Sequence, residues 1–250
     1  MISKKDLTQG LNDLGIPYDS DLMIHSSMRS FGAPIAGGAE TLFNILFDRI
    51  GTHGTLLMPT LSFSSICEDA PVFDANTTPS DCGILTELFR KQEGGQRSMH
   101  PLSSVCAYGA RAHYYTEMHA DTPCGPETPY GKLVKENGWV LFIGAGFGSN
   151  TLFHVAEEIV SPPYMRYATL SNVSMTAQDG RQYTSTFRRY NCYQTGIQRD
   201  LARMEPIFEQ AGILRRTYVG DSCWTAIPAA ENCLLSCEIL RKNPQYILKS

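Results

Sequence analysis

Gly138-Trp139-Val140-Leu141-Phe142-Ile143-Gly144-Ala145-Gly146-Phe147-Gly148-Ser149-Asn150-Thr151-Leu152-Phe153-His154-Val155-Ala156-Glu157-Glu158 reads as a strand, a glycine-rich turn and a helix in succession. The apolar run 139–143 has the length and composition of a buried strand. Glycine at 144, 146 and 148 lets the chain turn tightly behind it. Asn150 and Thr151 offer a helix start, and the helix carries His154, Glu157 and Glu158. At separations of three and four residues, one helix face presents an imidazole beside a carboxylate. Such a pair suits general-base chemistry: a nitrogen that titrates near neutral pH, with an anion to orient it and raise its basicity. Any helix can also form the same pair as an ordinary salt bridge, so spacing alone leaves both readings open.

Working outward, apolar periodicity predicts a short helix over 3–14, with Ser3 as its cap, and a second over 39–50, stopped by Gly51. Strands are expected at 22–27, 55–59 and 105–108, with a helix at 84–92. Residues 62–80 hold Pro71 and Pro79 and no lasting period; a loop of that length in a compact domain is usually functional. The stretch 119–129 is also expected to be loop. Two strands follow near 168–176 and 182–190, then a helical region over 201–211 that Pro206 bends or restarts. A closing helix begins at Pro228 and ends before Asn243-Pro244. Strands and helices alternate early and strands pair late. The expectation is a three-layer α/β/α sandwich around a mixed β-sheet, as a single domain over 1–250.

Composition narrows the function. The chain has 250 residues, a formal net charge of −4, 42% hydrophobic and 18% charged residues. That balance argues against non-specific nucleic-acid binding, which needs clustered Lys and Arg. No segment approaches the roughly 18 consecutive apolar residues of a membrane span, and no apolar stretch follows Lys4 and Lys5 as in a signal peptide. A cytoplasmic location is expected. Eight scattered cysteines form no Cys-x-x-Cys pair and read as reduced, buried small hydrophobes.

Three other clusters carry chemistry. His25-Ser26-Ser27 closes a strand, where ligands settle in open α/β sheets. Arg97-Ser98-Met99-His100-Pro101 with Ser103-Ser104 offers a guanidinium for a phosphate. Phe73-Asp74, ahead of Thr77, Thr78, Pro79 and Ser80, places an acid in the long loop, where it can meet a substrate ammonium. The glycine series fails the G-x-G-x-x-G dinucleotide spacing by one residue, and neither G-x-S-x-G nor His-Glu-x-x-His occurs.

In this order, the segments resemble the aminoglycoside N3-acetyltransferase family. The matching pieces are His25-Ser26-Ser27 with Phe31-Gly32 and Gly37-Gly38, and Gly54-Thr55-Leu56-Leu57-Met58-Pro59-Thr60. With them go Phe73-Asp74 through Pro79-Ser80, the Arg97-to-Ser104 cluster, and Gly144 through Asn150-Thr151, His154 and Glu157. The likeness runs from about residue 20 to 160 and rests on five motifs in the family's order. It implies acetyl transfer from acetyl-CoA to an amine without a covalent enzyme intermediate or a metal. It implies that His154 takes a proton from the amine, that Glu157 orients His154, and that Asp74 lies near the amine. It implies that Ser26, Ser27, Phe31, Arg97, His100 and Ser103 face the CoA. One departure bears on the acceptor: where antibiotic-modifying members need acids for a polycation, this chain offers Arg188-Arg189-Tyr190-Asn191. Two adjacent arginines favour an anionic acceptor, such as an amino-sugar, including a nucleotide-linked one, over an aminoglycoside.

Two rivals remain open at this stage. One is a metal-dependent hydrolase built from some of His25, His100, His113, His119 and His154. The other is a non-catalytic CoA-binding protein. The acceptor is a small-molecule amine, with no nucleic acid or membrane partner, and the oligomeric state is not legible.

Overall fold

The computed structural model describes residues 1–192 and 194–249. At the centre of its principal sheet, β1 (Leu22–Ser26) lies between β2 (Thr55–Pro59) and β6 (Trp139–Ile143) and runs parallel to both. Antiparallel strands extend the sheet on each side. Beyond β2 lie β5 (Val105–Gly109) and β4 (Gln96–Arg97); beyond β6 lie β10 (Ser222–Pro228) and β9 (Arg215–Val219).

The period-two geometry of strands divides the apolar residues of this sheet between two cores. Met23, Leu57, Val140 and Phe142 enter one; Leu22, Ile24, Leu56, Met58, Leu141 and Ile143 enter the other. Continuous apolar runs are therefore required on the central strands, because both faces are covered. On the second face lie α1 (Lys4–Asp13), α2 (Gly38–Ile50) and α3 (Ile84–Arg90). On the first lie α4 (Ala112–Thr116), α5 (Pro129–Lys135), α6 (Phe153–Val160), α7 (Glu205–Gln210) and α8 (Ala229–Lys242). The architecture is the expected α/β/α sandwich around a mixed sheet.

Several elements differ from the sequence reading. The long stretch 62–80 contains a short strand, β3 (Val72–Asp74). It pairs in parallel with β7 (Tyr167–Thr176), which pairs with β8 (Gln182–Tyr190). These three form a separate sheet over a small core of Phe73, Leu170, Val173, Met175 and Phe187, instead of joining the main sheet. The β9–β10 hairpin was not anticipated, since β10 is buried along most of its length and shows no alternation. Pro228 stands at the cap before α8, one place earlier than expected. Pro206 lies in the first turn of α7, where its missing N–H costs nothing, after a 3₁₀ turn at Leu201–Met204. Among the described residues no helix is long and apolar enough to cross a membrane.

Candidate active site

The chain leaves β6 at Gly144, whose φ of +62° and contact with the 27–30 turn both exclude a side chain: a Cβ there would fall 1.7 Å from Ser30 Oγ. Gly146 and Gly148 have room for a Cβ and ordinary φ, so only the first of the three glycines is demanded by the turn. Asn150 does not cap the helix. It is fully buried and exchanges two side-chain hydrogen bonds with Asn232 of α8, each 3.1 Å. The α-helix begins at Phe153, and the amide pair ties its approach to α8.

Helix α6 presents His154 at 18% side-chain exposure, with Glu157 fully buried behind it. His154 Nδ1 meets Glu157 Oε2 at 2.5 Å. Arg199 Nη1 donates to the same oxygen at 2.7 Å, and the Tyr164 hydroxyl donates to Oε1 at 2.7 Å. Burial by itself raises the Glu157 carboxyl, but His154, Arg199 and Tyr164 outweigh it and hold the group below its ordinary value. Glu158 points elsewhere, accepting from the Cys124 amide and the Tyr190 hydroxyl, both at 2.7 Å. Glu157, not Glu158, is thus the carboxylate on the ring, and it meets Nδ1.

Two cavities meet at His154. The smaller, about 310 Å³, opens beyond the carboxyl ends of β1 and β2 and is lined by His25, Ser26, Pro59 and Ser149. The larger, about 440 Å³, lies under the small sheet, with Leu102, Ser103, Leu170, Arg189 and Tyr190 in its walls. His154, Thr151 and Leu61 line both. Thr151 lies in the turn that leads into α6, where its carbonyl accepts from the His154 amide at 3.0 Å; its place three residues before His154 was the signal that could have found it. Arg199 carries no such signal, being far along the chain and outside any motif.

Of the other expected site residues, Ser26 lines the smaller cavity and Ser103 and Arg189 the larger. The rest are placed differently. Phe31 is buried edge-on against Trp224, in the core. Arg97 is buried too: Nε donates to Thr60 and Ser104, Nη1 to the Thr78 carbonyl, and Nη2 to the Thr60 carbonyl and Ser62. Its fork is spent on pinning the loop after β2, and burial lowers its pKa to about 10. His100 faces neither cavity. Its Nδ1 accepts from the Leu102 and Ser103 amides, at 3.2 and 3.0 Å, and so shapes the turn that carries those two residues to the cavity wall. Ser27 lies in neither lining; its amide donates to the Ile143 carbonyl and its carbonyl accepts from Ser30 Oγ. Asp74 accepts from the amides of Asn76 and Thr77, holding a turn outside both cavities. Arg188 also lies outside them, beside Asp121 at 3.4 Å and over the Tyr167 ring.

The histidines do not converge. His25 stacks on Phe142 and His100 packs against His119, while His113 is exposed beside Glu117. Among the described residues no three His, Cys, Asp or Glu side chains are placed to hold a metal ion.

Comparison with known proteins gives a consistent result. The family described as aminoglycoside 3-N-acetyltransferase matches residues 23–240. The chain is 31% identical over 208 residues to aminoglycoside N(3)-acetyltransferase III of a Salmonella species, covering 76% of this chain and 72% of that protein. The crystal structure of aminoglycoside acetyltransferase AAC(3)-Xa shares its fold with a TM-score of 0.86 at 26% identity, over 96% of this chain and 93% of the other. AAC-IIIb, solved as a binary complex with CoASH, has a TM-score of 0.83 at 24% identity, over 96% of each.

Proposed function

We propose that this chain, which belongs to the aminoglycoside 3-N-acetyltransferase family and is an acyltransferase, moves the acetyl group of acetyl-CoA directly onto the nitrogen of an amine, with His154 as general base. The observation that carries the reading is the position of His154: one nitrogen fixed by a buried carboxylate, the ring standing where two cavities join. A two-substrate transfer needs such a junction, because the nucleophile and the acyl carbon must come within about 3–3.5 Å.

The smaller cavity suits the pantetheine arm of CoA. It lies beyond the carboxyl ends of parallel strands, where ligands of open α/β sheets bind, and carries hydroxyls from Ser26, Ser149 and Thr151. The larger cavity then receives the acceptor. His154 Nε2 takes a proton from the acceptor nitrogen as it attacks the thioester carbonyl, and Glu157 stabilises the imidazolium that results. Negative charge grows on the thioester oxygen. The Thr151 hydroxyl, whose present partner is the Ser149 carbonyl at a long 3.4 Å, is free to swing toward it. Collapse of the tetrahedral intermediate expels the CoA thiolate, which recovers a proton.

The AAC-IIIb complex with CoASH supports the choice of cofactor, and the name of the Salmonella relative, an aminoglycoside N(3)-acetyltransferase, supports an amine acceptor. The test is thiol release from acetyl-CoA with a panel of amines, run beside His154→Ala. Amine-dependent release that falls on the order of 10²–10⁴-fold in the variant, with CoA binding retained, is expected. Equal rates in the two proteins would end the reading.

A further inference from the structure

The larger cavity holds a second polar anchor besides His154, on the strand that forms its far wall. Arg189 of β8 meets Glu68 with both terminal nitrogens: Nη2 lies 2.9 Å from Oε2, and Nη1 contacts Oε1. Its Nε is buried and has no hydrogen-bond partner. The two partners differ in how they are held. The Arg189 side chain is 19% exposed and fixed on a strand, while that of Glu68 is 59% exposed on the loop that follows β2. With one partner so open to water, the pair is screened on that side, and a ligand oxyanion can compete with Glu68 for the fork. Glu68 therefore shows how a ligand oxyanion would sit, two oxygens on one guanidinium fork.

The rest of the lining points the same way. Leu61, Phe63, Ile66, Leu102 and Leu170 make much of it apolar, and Glu68 is its one carboxylate among the described residues. Glu157, behind His154, is already shared by Arg199 and Tyr164. Among the described residues of these walls, the one carboxylate a polycation would find is Glu68, already set against Arg189.

We propose that Arg189 anchors an oxyanion of the acceptor, a carboxylate or a phosphate monoester that takes the place of Glu68. The favoured substrate is then an amine bearing a negative group, in preference to a polycationic aminoglycoside. The proposal rests on the acyl-transfer reading and deepens it by naming the acceptor class.

Thiol release is measured with glucosamine, glucosamine 6-phosphate, glucosaminuronic acid and kanamycin. The expected result is kcat/KM at least about 10-fold higher for one or both anionic sugars than for glucosamine, the two arms separating phosphate from carboxylate. Arg189→Ala erases that preference. Glu68→Gln, on an exposed loop where folding is not at stake, strengthens it by removing the internal competitor. A higher kcat/KM for kanamycin than for either anionic sugar, or a preference that survives Arg189→Ala, overturns the proposal. If no amine releases thiol, the acyl-transfer reading fails, and calorimetric titration of glucosamine 6-phosphate still decides the anchor. Binding that Arg189→Ala abolishes supports it; equal binding or none refutes it.

Discussion

His154 and Glu157 are three residues apart, and their pairing was legible in the sequence because helix geometry alone brings such positions together. What surrounds them was not. Arg199 and Tyr164 reach Glu157 from other elements and join His154 in holding a fully buried carboxylate below its ordinary value. Thr151 lies in the turn before α6 and lines both cavities, and its Val variant tests the proposed oxyanion role. Loss of a hydroxyl donor at nearly constant volume is expected to lower kcat by about 10²-fold, far more than it weakens CoA binding, as read by initial rates and fluorescence titration. The buried histidines set a second expectation. Burial lowers His25 and His100 to about 4 and drives His119 well down. The unfolded chain, with histidines near 6.5, then takes up protons first as pH falls, so stability is complete above about 6.5 and drains away toward 4. Glu157, lowered in the fold, acts in the same direction at still lower pH. Each of His25 and His100 is worth at most about 3 kcal/mol over that window. Urea midpoints at pH 7.5, 6 and 5 should decline steadily, and His100→Gln should flatten the decline; a pH-independent midpoint would contradict it.

The helix bearing His154 is held by a device that its own sequence does not announce. Asn150 looked like a helix start because Asn is a common N-cap. In the fold both its amide groups face Asn232, across the α6–α8 packing. Only tertiary contact decides between these two uses of one side chain. The same limit explains Arg97. As an isolated residue it reads as a phosphate partner, yet five hydrogen bonds inside the protein leave it nothing to offer a ligand. Asp74, too, serves a turn that its own neighbours create. The Asn150–Asn232 pair makes a measurable claim. Either single change to Ala strands a fully buried amide and should cost about 1–3 kcal/mol by urea denaturation. The double change should cost less than the two singles together, since neither amide is then left facing a missing partner. Simple additivity would show that the pair is not coupled.

Across the molecule, the central parallel strands were readable because burial on both faces forces continuous apolar runs, and most helices because each buries one stripe. The small sheet was harder. Its strands β7 and β8 alternate visibly, but nothing local says that β3 joins them or that β7 and β8 supply wall residues to the larger cavity. That cavity is built from loops and strands drawn from residues 61 to 199, so its charge and its apolar character emerge only on folding. Leu61 lies where the larger cavity and the strand-end cavity join, in both linings yet with no chemistry of its own. Its function on this reading is spatial: it sets how closely the acceptor nitrogen approaches the acyl carbon. Leu61→Trp adds bulk at the junction and leaves the outer reaches of each cavity alone. Misplacement by about 1 Å costs roughly 10²-fold in rate, so kcat should fall by that order while the KM values for acetyl-CoA and amine change little. Steady-state kinetics read this directly. A variant whose KM values rise with kcat intact would mean that Leu61 helps to bind one substrate and that the reacting groups meet somewhere else.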